Sequence, residues 1–127
     1  MITLADRQLA ALNRLIAAIT PGNRFYQPKL SAAKGSAGFV SLADFRARMP
    51  FTTKDELAAD QAAHPPFGTT LTRDPAGYTR YHQTSGTRGR PLVWMDDPGS
   101  WQWVVDNWKK VWERAGAVPG DSAFFAF

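Results

Sequence analysis

The stretch that decides the fold runs from Tyr78 to Trp94 and reads YTRYHQTSGTRGRPLVW. Residues that favour β-structure lie on both sides of its centre, while the centre is made of small, hydroxyl-bearing and basic residues. Its two glycines, Gly86 and Gly89, are typical of a tight turn. The pattern therefore predicts a strand, a tight loop and a second strand.

The centre of this stretch has the chemistry of an anion-binding loop. Glycine allows positive φ, so successive N–H groups can turn toward one point and form a concavity that binds anions. Hydroxyl groups add short donors, and guanidinium groups match the geometry of phosphate oxygens. We therefore predict a polyphosphate ligand, with a nucleoside triphosphate as the obvious candidate. The predicted binding residues are Thr84, Ser85, Gly86, Thr87, Arg88, Gly89 and Arg90.

The residues by themselves leave alternatives open. The chain contains neither the P-loop nor the dinucleotide-binding glycine fingerprint. A Ser/Thr/Gly hairpin turn with solvated arginines would have the same composition. His82, two residues before the loop, either faces a nucleotide or acid pocket or is a strand residue hydrogen-bonded to the backbone.

Four segments of the chain, taken together, resemble one family. They are the loop with Arg80 and His82 before it, the early RFY and PKL segments at 24–26 and 28–30, MPFTTKDEL at 49–57, and GAVPGD at 116–121. The loop is similar to the Ser/Thr–Ser–Gly–Thr–Thr/Ser–Gly–Lys/Arg–Pro phosphate loop of the AMP-forming acyl- and aryl-CoA ligases. All four segments, in their order along the chain, resemble the phenylacetate-CoA ligase family within that superfamily.

The resemblance implies a two-step reaction. A carboxylate, aryl or arylacetic by family default, would attack the α-phosphate of ATP, with Mg²⁺ present, and coenzyme A would then displace AMP to give a thioester. Residues 84–90 would bind the phosphates. Arg88 departs from the family pattern, which has Thr or Ser there, and Arg90 replaces the commoner lysine. The catalytic residues cannot be assigned within the chain.

Composition limits the other classes of function. The 127 residues are 44% hydrophobic and 20% charged, which indicates a globular domain. The chain has no cysteine, signal peptide or apolar span, which fits a cytoplasmic protein with no membrane partner. The net charge of +4 is scattered along the chain, so a nucleic-acid partner is not favoured. No His, Asp and Glu set has ligand spacing, so no protein-held metal site is predicted.

The expected fold class is α/β, with an α+β appearance in a fragment. N-terminal helices (1–64) would precede a strand–phosphate loop–strand–helix–strand unit (78–127), forming an incomplete part of the large N-terminal domain of an adenylate-forming enzyme. Helices are predicted at 4–19, 41–48, 54–63 and from Asp97 to Gly116, and a loop at 24–37. The helix after Asp97 carries an apolar stripe of Trp101, Val104, Val105, Trp108, Val111 and Trp112.

The last residues, Phe124–Phe127, form an apolar run that predicts a buried strand continuing into further sequence. The chain is therefore expected to be an N-terminal fragment that is inactive alone. One alternative is a phosphate-binding or dimerising module that associates through the sheet edge at 124–127 or through the Trp stripe. A nucleic-acid binder is a further alternative.

Overall fold

A computed structural model describes residues 1–34, 38–85 and 90–124. In chain order its elements are α1 (Leu4–Ile19), α2 (Tyr26–Lys34), α3 (Leu42–Arg48), α4 (Lys54–Ala63), a 3₁₀ turn (Pro75–Gly77), β1 (Arg80–Gln83), β2 (Val93–Asp96) and α5 (Pro98–Arg114). This α+β arrangement of helices followed by strand, loop, strand and helix confirms the predicted fold class. The strand predicted at 124–127 lies mostly outside the described residues.

Local capping sets the starts of the predicted helices. The Thr3 hydroxyl accepts from the Asp6 N–H at 3.1 Å, and the Asp6 carboxylate accepts from the Thr3 N–H at 2.9 Å. Thr53 and Glu56 form the same reciprocal capping box at the start of α4. Ser41 caps α3 through the Asp44 N–H. The helices predicted at 4–19, 41–48 and 54–63 are confirmed.

The loop predicted at 24–37 is wrong, because the chain forms helix α2 there. Asn23 caps it: its side-chain oxygen accepts from the Tyr26 N–H at 2.9 Å, and its amide donates to the Thr70 carbonyl at 2.5 Å. Asn23 is only 4% exposed, and its amide also donates to the Thr72 hydroxyl at 3.1 Å, so the whole side chain is engaged in hydrogen bonds. The capping residue depends on a partner far along the chain, and such a signal is hard to recognise in the sequence.

The main core lies between α1, α2 and α3. Its buried residues are Ile16, Leu30, Ala33 and Phe39, with Leu9, Leu12, Ile19, Tyr26, Phe45 and Met49 packed around them. The rings of Phe39 and Phe45 meet edge to face at 5.1 Å. The core is small and helical, and α1–α4 together are called the helical platform below.

The strands form an antiparallel two-stranded sheet in which His82 lies opposite Trp94 and Arg80 opposite Asp96. The outer edge of β2 is bound by a side chain instead of a third strand. Gln61, from α4, donates to the Val93 carbonyl at 2.8 Å and accepts from the Val93 N–H at 3.0 Å. This pair of bonds attaches the hairpin to the helical platform.

Helix α5 begins as predicted, with Asp97 as the N-cap and Pro98 in the first turn. It ends before Gly116, whose φ of +82° is the left-handed geometry expected of a C-terminal glycine. The start of the predicted apolar stripe packs on the hairpin, since Trp101 and Val104 are partly buried. The later residues of the stripe lie beyond the end of the short sheet, and Trp108 is 59% exposed. Among the described residues, no helix is long and apolar enough to cross a membrane.

Candidate functional site

The predicted phosphate loop is closed at its base by two hydrogen bonds between Thr84 and Leu92. The Thr84 N–H donates to the Leu92 carbonyl at 3.0 Å, and the Leu92 N–H donates to the Thr84 hydroxyl at 2.9 Å. Leu92 is buried, so this base is fixed in the packed part of the fold. The Thr84 hydroxyl uses an acceptor lone pair here, which leaves its own proton to donate to a ligand.

The ends of the loop reach solvent. Ser85 and Arg90 are both exposed. The four residues between them, Gly86, Thr87, Arg88 and Gly89, lie outside the described residues, so their predicted role in the loop stays a prediction.

Arg90 also lines a cleft of about 330 Å³ between the loop and α4. Lys54 and Asp55, from the first turn of α4, lie on the other side of this cleft together with Pro65 and Pro66. Lys54 is not among the residues predicted to bind the phosphates. Lys54 lines the same cleft as Arg90 because α4 lies beside β2. The Gln61–Val93 bonds hold α4 there, and they join residues too far apart in the chain for a local sequence pattern to predict them.

A second group of side chains lies on one face of the hairpin, beside the loop base. The guanidinium carbon of Arg80 is 4.3 Å from the centroid of the Trp101 ring, and the His82 ring stacks on Trp101 at 5.5 Å. His82 Nε2 lies 3.1 Å from Asp96 Oδ2. The His82 ring is therefore held by a side-chain carboxylate and an indole, whereas the strand alternative predicted a backbone partner.

A shallow cavity of about 340 Å³ opens between this face and the loop base, and Thr84, His82 and Trp101 all line it. Asp96 and Trp101 were not predicted as site residues. Asp96 lies opposite Arg80 in the strand register and Trp101 comes from the start of α5, so both reach His82 only through the tertiary fold.

The start of α5 is also fixed by charge. The Ser100 N–H donates to the Asp97 carboxylate at 2.7 Å and is the main cause that holds the pKa of this carboxyl below its usual range. The Arg73 guanidinium, 3.1 Å away, lowers the pKa of Asp97 further. The helix that carries Trp101 is thus anchored at the residue where it meets the hairpin.

Among the described residues, no group of three or more His, Cys, Asp or Glu side chains could hold a metal ion. The loop base instead offers hydroxyl and guanidinium donors, which suit the oxyanions of a polyphosphate. The described donors are therefore of the kind that binds phosphate oxygens.

The fold is similar to part of a solved CoA ligase. The chain resembles the solved structure of 2-hydroxyisobutyryl-CoA ligase in complex with 2-HIB-AMP and CoA in the thioesterification state, with 30% sequence identity and a TM-score of 0.80 over 92% of the chain. An open conformation of that ligase, also with 2-HIB-AMP and CoA, matches at 29% identity, a TM-score of 0.75 and 89% of the chain. Its postadenylation state with 2-HIB-AMP matches at 27% identity, a TM-score of 0.77 and 94% of the chain.

The chain spans about a quarter of the length of these ligases, with coverages of 25%, 24% and 26%. No protein-family model and no curated protein matches the sequence. The structural matches support the adenylate-forming CoA ligase superfamily, and they do not single out the phenylacetate-CoA ligase family.

Proposed function

We propose that the chain forms the N-terminal part of an ATP-dependent, AMP-forming carboxylate–CoA ligase, and that residues 84–90 bind the phosphates of ATP. The observation that carries the proposal is the loop base. Thr84 and Leu92 close a hairpin in which Ser85 and Arg90 are exposed, and the fold around it resembles ligases solved with 2-HIB-AMP and CoA.

The loop would act on the first step of the reaction. When the acid carboxylate attacks the α-phosphate, the bond to the β-phosphate breaks and pyrophosphate leaves with the bonding electrons. Donors aimed at the β- and γ-phosphate oxygens stabilise the charge that develops there. The Thr84 hydroxyl and the Arg90 guanidinium are donors of this kind, and the N–H groups of residues 85–89 would supply the rest.

Mg²⁺ and coenzyme A would complete the chemistry. Mg²⁺ neutralises phosphate charge when it is bound, and it is commonly held by substrate phosphates together with one or two carboxylates. Coenzyme A would supply the thiol that displaces AMP from the acyl-adenylate. The chain's own contribution would remain the orientation of the polyphosphate.

The class of the acid substrate is the part of the proposal that a substrate panel would decide. The resemblance to the phenylacetate-CoA ligase family favours an aryl or arylacetic acid, whereas the solved neighbours are named for 2-hydroxyisobutyryl-CoA. A panel containing phenylacetate, benzoate and 2-hydroxyisobutyrate, offered to the intact ligase, would identify the class by the rate of pyrophosphate release.

The proposed phosphate site is tested by binding of pyrophosphate and ATP to this chain. We expect Arg90→Ala to weaken both, because a charge-assisted bond to phosphate is worth about 1.5–3 kcal/mol, or roughly 10-fold to 100-fold in affinity. Arg114→Ala is the matched control, since it removes the same charge at the far end of α5. Equal affinities for wild type and both variants would refute the phosphate site.

A second test uses the intact ligase. Arg90→Ala should raise the KM for ATP more than the KM for the acid. Equal effects on both would mean that the loop is scaffolding. The 127-residue chain alone should not release pyrophosphate from ATP above background, and turnover by it would overthrow the expectation that it is inactive alone.

The alternative of a dimerising module is favoured by one observation, the exposed apolar face of α5. Trp108, Val111 and Trp112 are 59%, 54% and 43% exposed. A contiguous exposed apolar surface of this kind usually meets a partner. In the ligase proposal this face packs against the remainder of a longer ligase chain, whereas in the module proposal it packs against a second copy of the chain.

A further inference from the structure

Trp101 contacts two basic side chains of the strand that leads into the loop. It lies in the first turn of α5, and its ring is shared by Arg80 at 4.3 Å and His82 at 5.5 Å. The interplanar angle between His82 and Trp101 is 22°, so the imidazole is nearly parallel to the indole. An aromatic support of this kind limits the orientations that the imidazole can adopt.

Asp96 fixes the remaining freedom of the His82 ring. Its Oδ2 lies 3.1 Å from Nε2, so that contact occupies one ring nitrogen. Contacts to a bound molecule are then made by Nδ1. An imidazole that carries a proton on both ring nitrogens bonds Asp96 with one N–H and can donate the other, Nδ1–H, to an anionic oxygen.

His82 and the loop base share one cavity. The cavity of about 340 Å³ is lined by His82, Trp101 and Thr84, and Thr84 is itself one of the predicted phosphate-binding residues. The His82 side chain is 43% exposed, so it can reach a molecule bound there. The imidazole, the indole and the loop base therefore form one continuous surface.

We propose that Trp101 is a positioning residue for the ligand of the phosphate loop and that it acts through His82. With Asp96, it holds the imidazole in the cavity at the loop base, where His82 contacts an anionic oxygen of the bound molecule. That oxygen belongs either to a phosphate of the nucleotide or to the carboxylate of the acid. The inference rests on the proposed function, because it uses the same ligand.

Nuclear magnetic resonance of the imidazole protons gives a direct test. The chain has two histidines, and His64, with a 49% exposed side chain, serves as the internal control. In the wild type, the indole should shift the His82 ring protons upfield by its ring current. Titration with pyrophosphate, ATP or 2-hydroxyisobutyrate should move the His82 signals and leave those of His64 unchanged. A response to pyrophosphate assigns the contact to phosphate, and a response to the acid alone assigns it to the carboxylate.

Three variants separate positioning from general packing. Trp101→Leu should abolish the upfield shift and weaken the affinity that the His82 signals report by about 2-fold to 10-fold, the range of one aromatic pair. Trp101→Phe keeps an aromatic face and should restore most of both. Trp103→Leu removes an exposed indole two residues further along α5 and should change neither.

The outcomes distinguish this inference from the proposed function. If the Ser85 amide responds to pyrophosphate or ATP and the His82 ring responds to none of the three probes, the inference is wrong and the phosphate site stands. If neither group responds to any probe, both are wrong. The inference is also overturned if Trp101→Leu loses the ring-current shift and binds each probe with wild-type affinity.

Discussion

Replacing Gln61 with leucine should detach the hairpin from the helical platform. The Gln61 amide makes two bonds to the backbone of Val93, at 2.8 and 3.0 Å, and so takes the place of a third strand. Each such bond contributes about 1 kcal/mol net. Leucine preserves the volume but leaves the Val93 N–H and carbonyl beside an apolar side chain, which adds a desolvation cost. We therefore expect Gln61→Leu to lower the free energy of unfolding by about 2–3 kcal/mol.

Urea denaturation, followed by circular dichroism and tryptophan fluorescence, measures this loss. A loss of this size corresponds to a fall in Tm of roughly 6–12 °C for a chain of this length. Gln102→Leu is the matched control, because the Gln102 amide bonds the exposed Asp106 carboxylate one turn along α5. The reasoning is refuted if Gln61→Leu and Gln102→Leu both stay within about 0.5 kcal/mol of the wild type, the range of ordinary surface substitutions.

Three further predictions concern α5. Asp97→Ala should cost about 1 kcal/mol at neutral pH because it removes the N-cap. The pKa of Asp97 is lowered in the folded state, so its contribution is present above the unfolded pKa and is lost as the pH falls through the folded pKa. The urea midpoints of wild type and variant should therefore begin to converge as the pH falls below about 4. Gly116→Ala should cost about 1 kcal/mol by the same assay, since alanine resists a φ of +82°; an unchanged midpoint would contradict this. If the apolar face drives self-association, Trp108→Glu should convert the dimer to monomer in sedimentation velocity. Trp103→Glu, on the opposite side of α5, should leave the dimer intact. A wild type that stays monomeric at high concentration would count against the dimerising module.

The capping residues explain why so many helix bounds were predictable. Ser41, Thr53 and Asp97 each accept from an N–H three residues ahead, so the signal for the helix start lies within one turn of sequence. In helix α2, which was missed, the cap Asn23 also accepts from an N–H three residues ahead, but the side chain is held in place by Thr70, which lies 47 positions away. A local pattern cannot report a partner at that distance.

The candidate site also contains a part that the sequence predicted and a part that it did not. The composition of residues 84–90 indicated an anion-binding loop, because glycine, hydroxyl and guanidinium groups are themselves the chemistry. The neighbours of that loop were not predictable. Lys54 and Arg90 line the same cleft only after α4 has packed beside β2. Asp96 contacts His82 only after the strands have adopted their register.

The amino-acid sequence by itself determined the local features of this protein: where most helices begin, where the strands flank a loop, and which donors that loop carries. These depend on residues within a few positions of one another. Tertiary structure alone decided that Gln61 would bind the edge of β2 and that Trp101 would support Arg80 and His82. Such contacts join residues about 20 to 30 positions apart, and their geometry is set by packing and strand register, which no short window of sequence encodes.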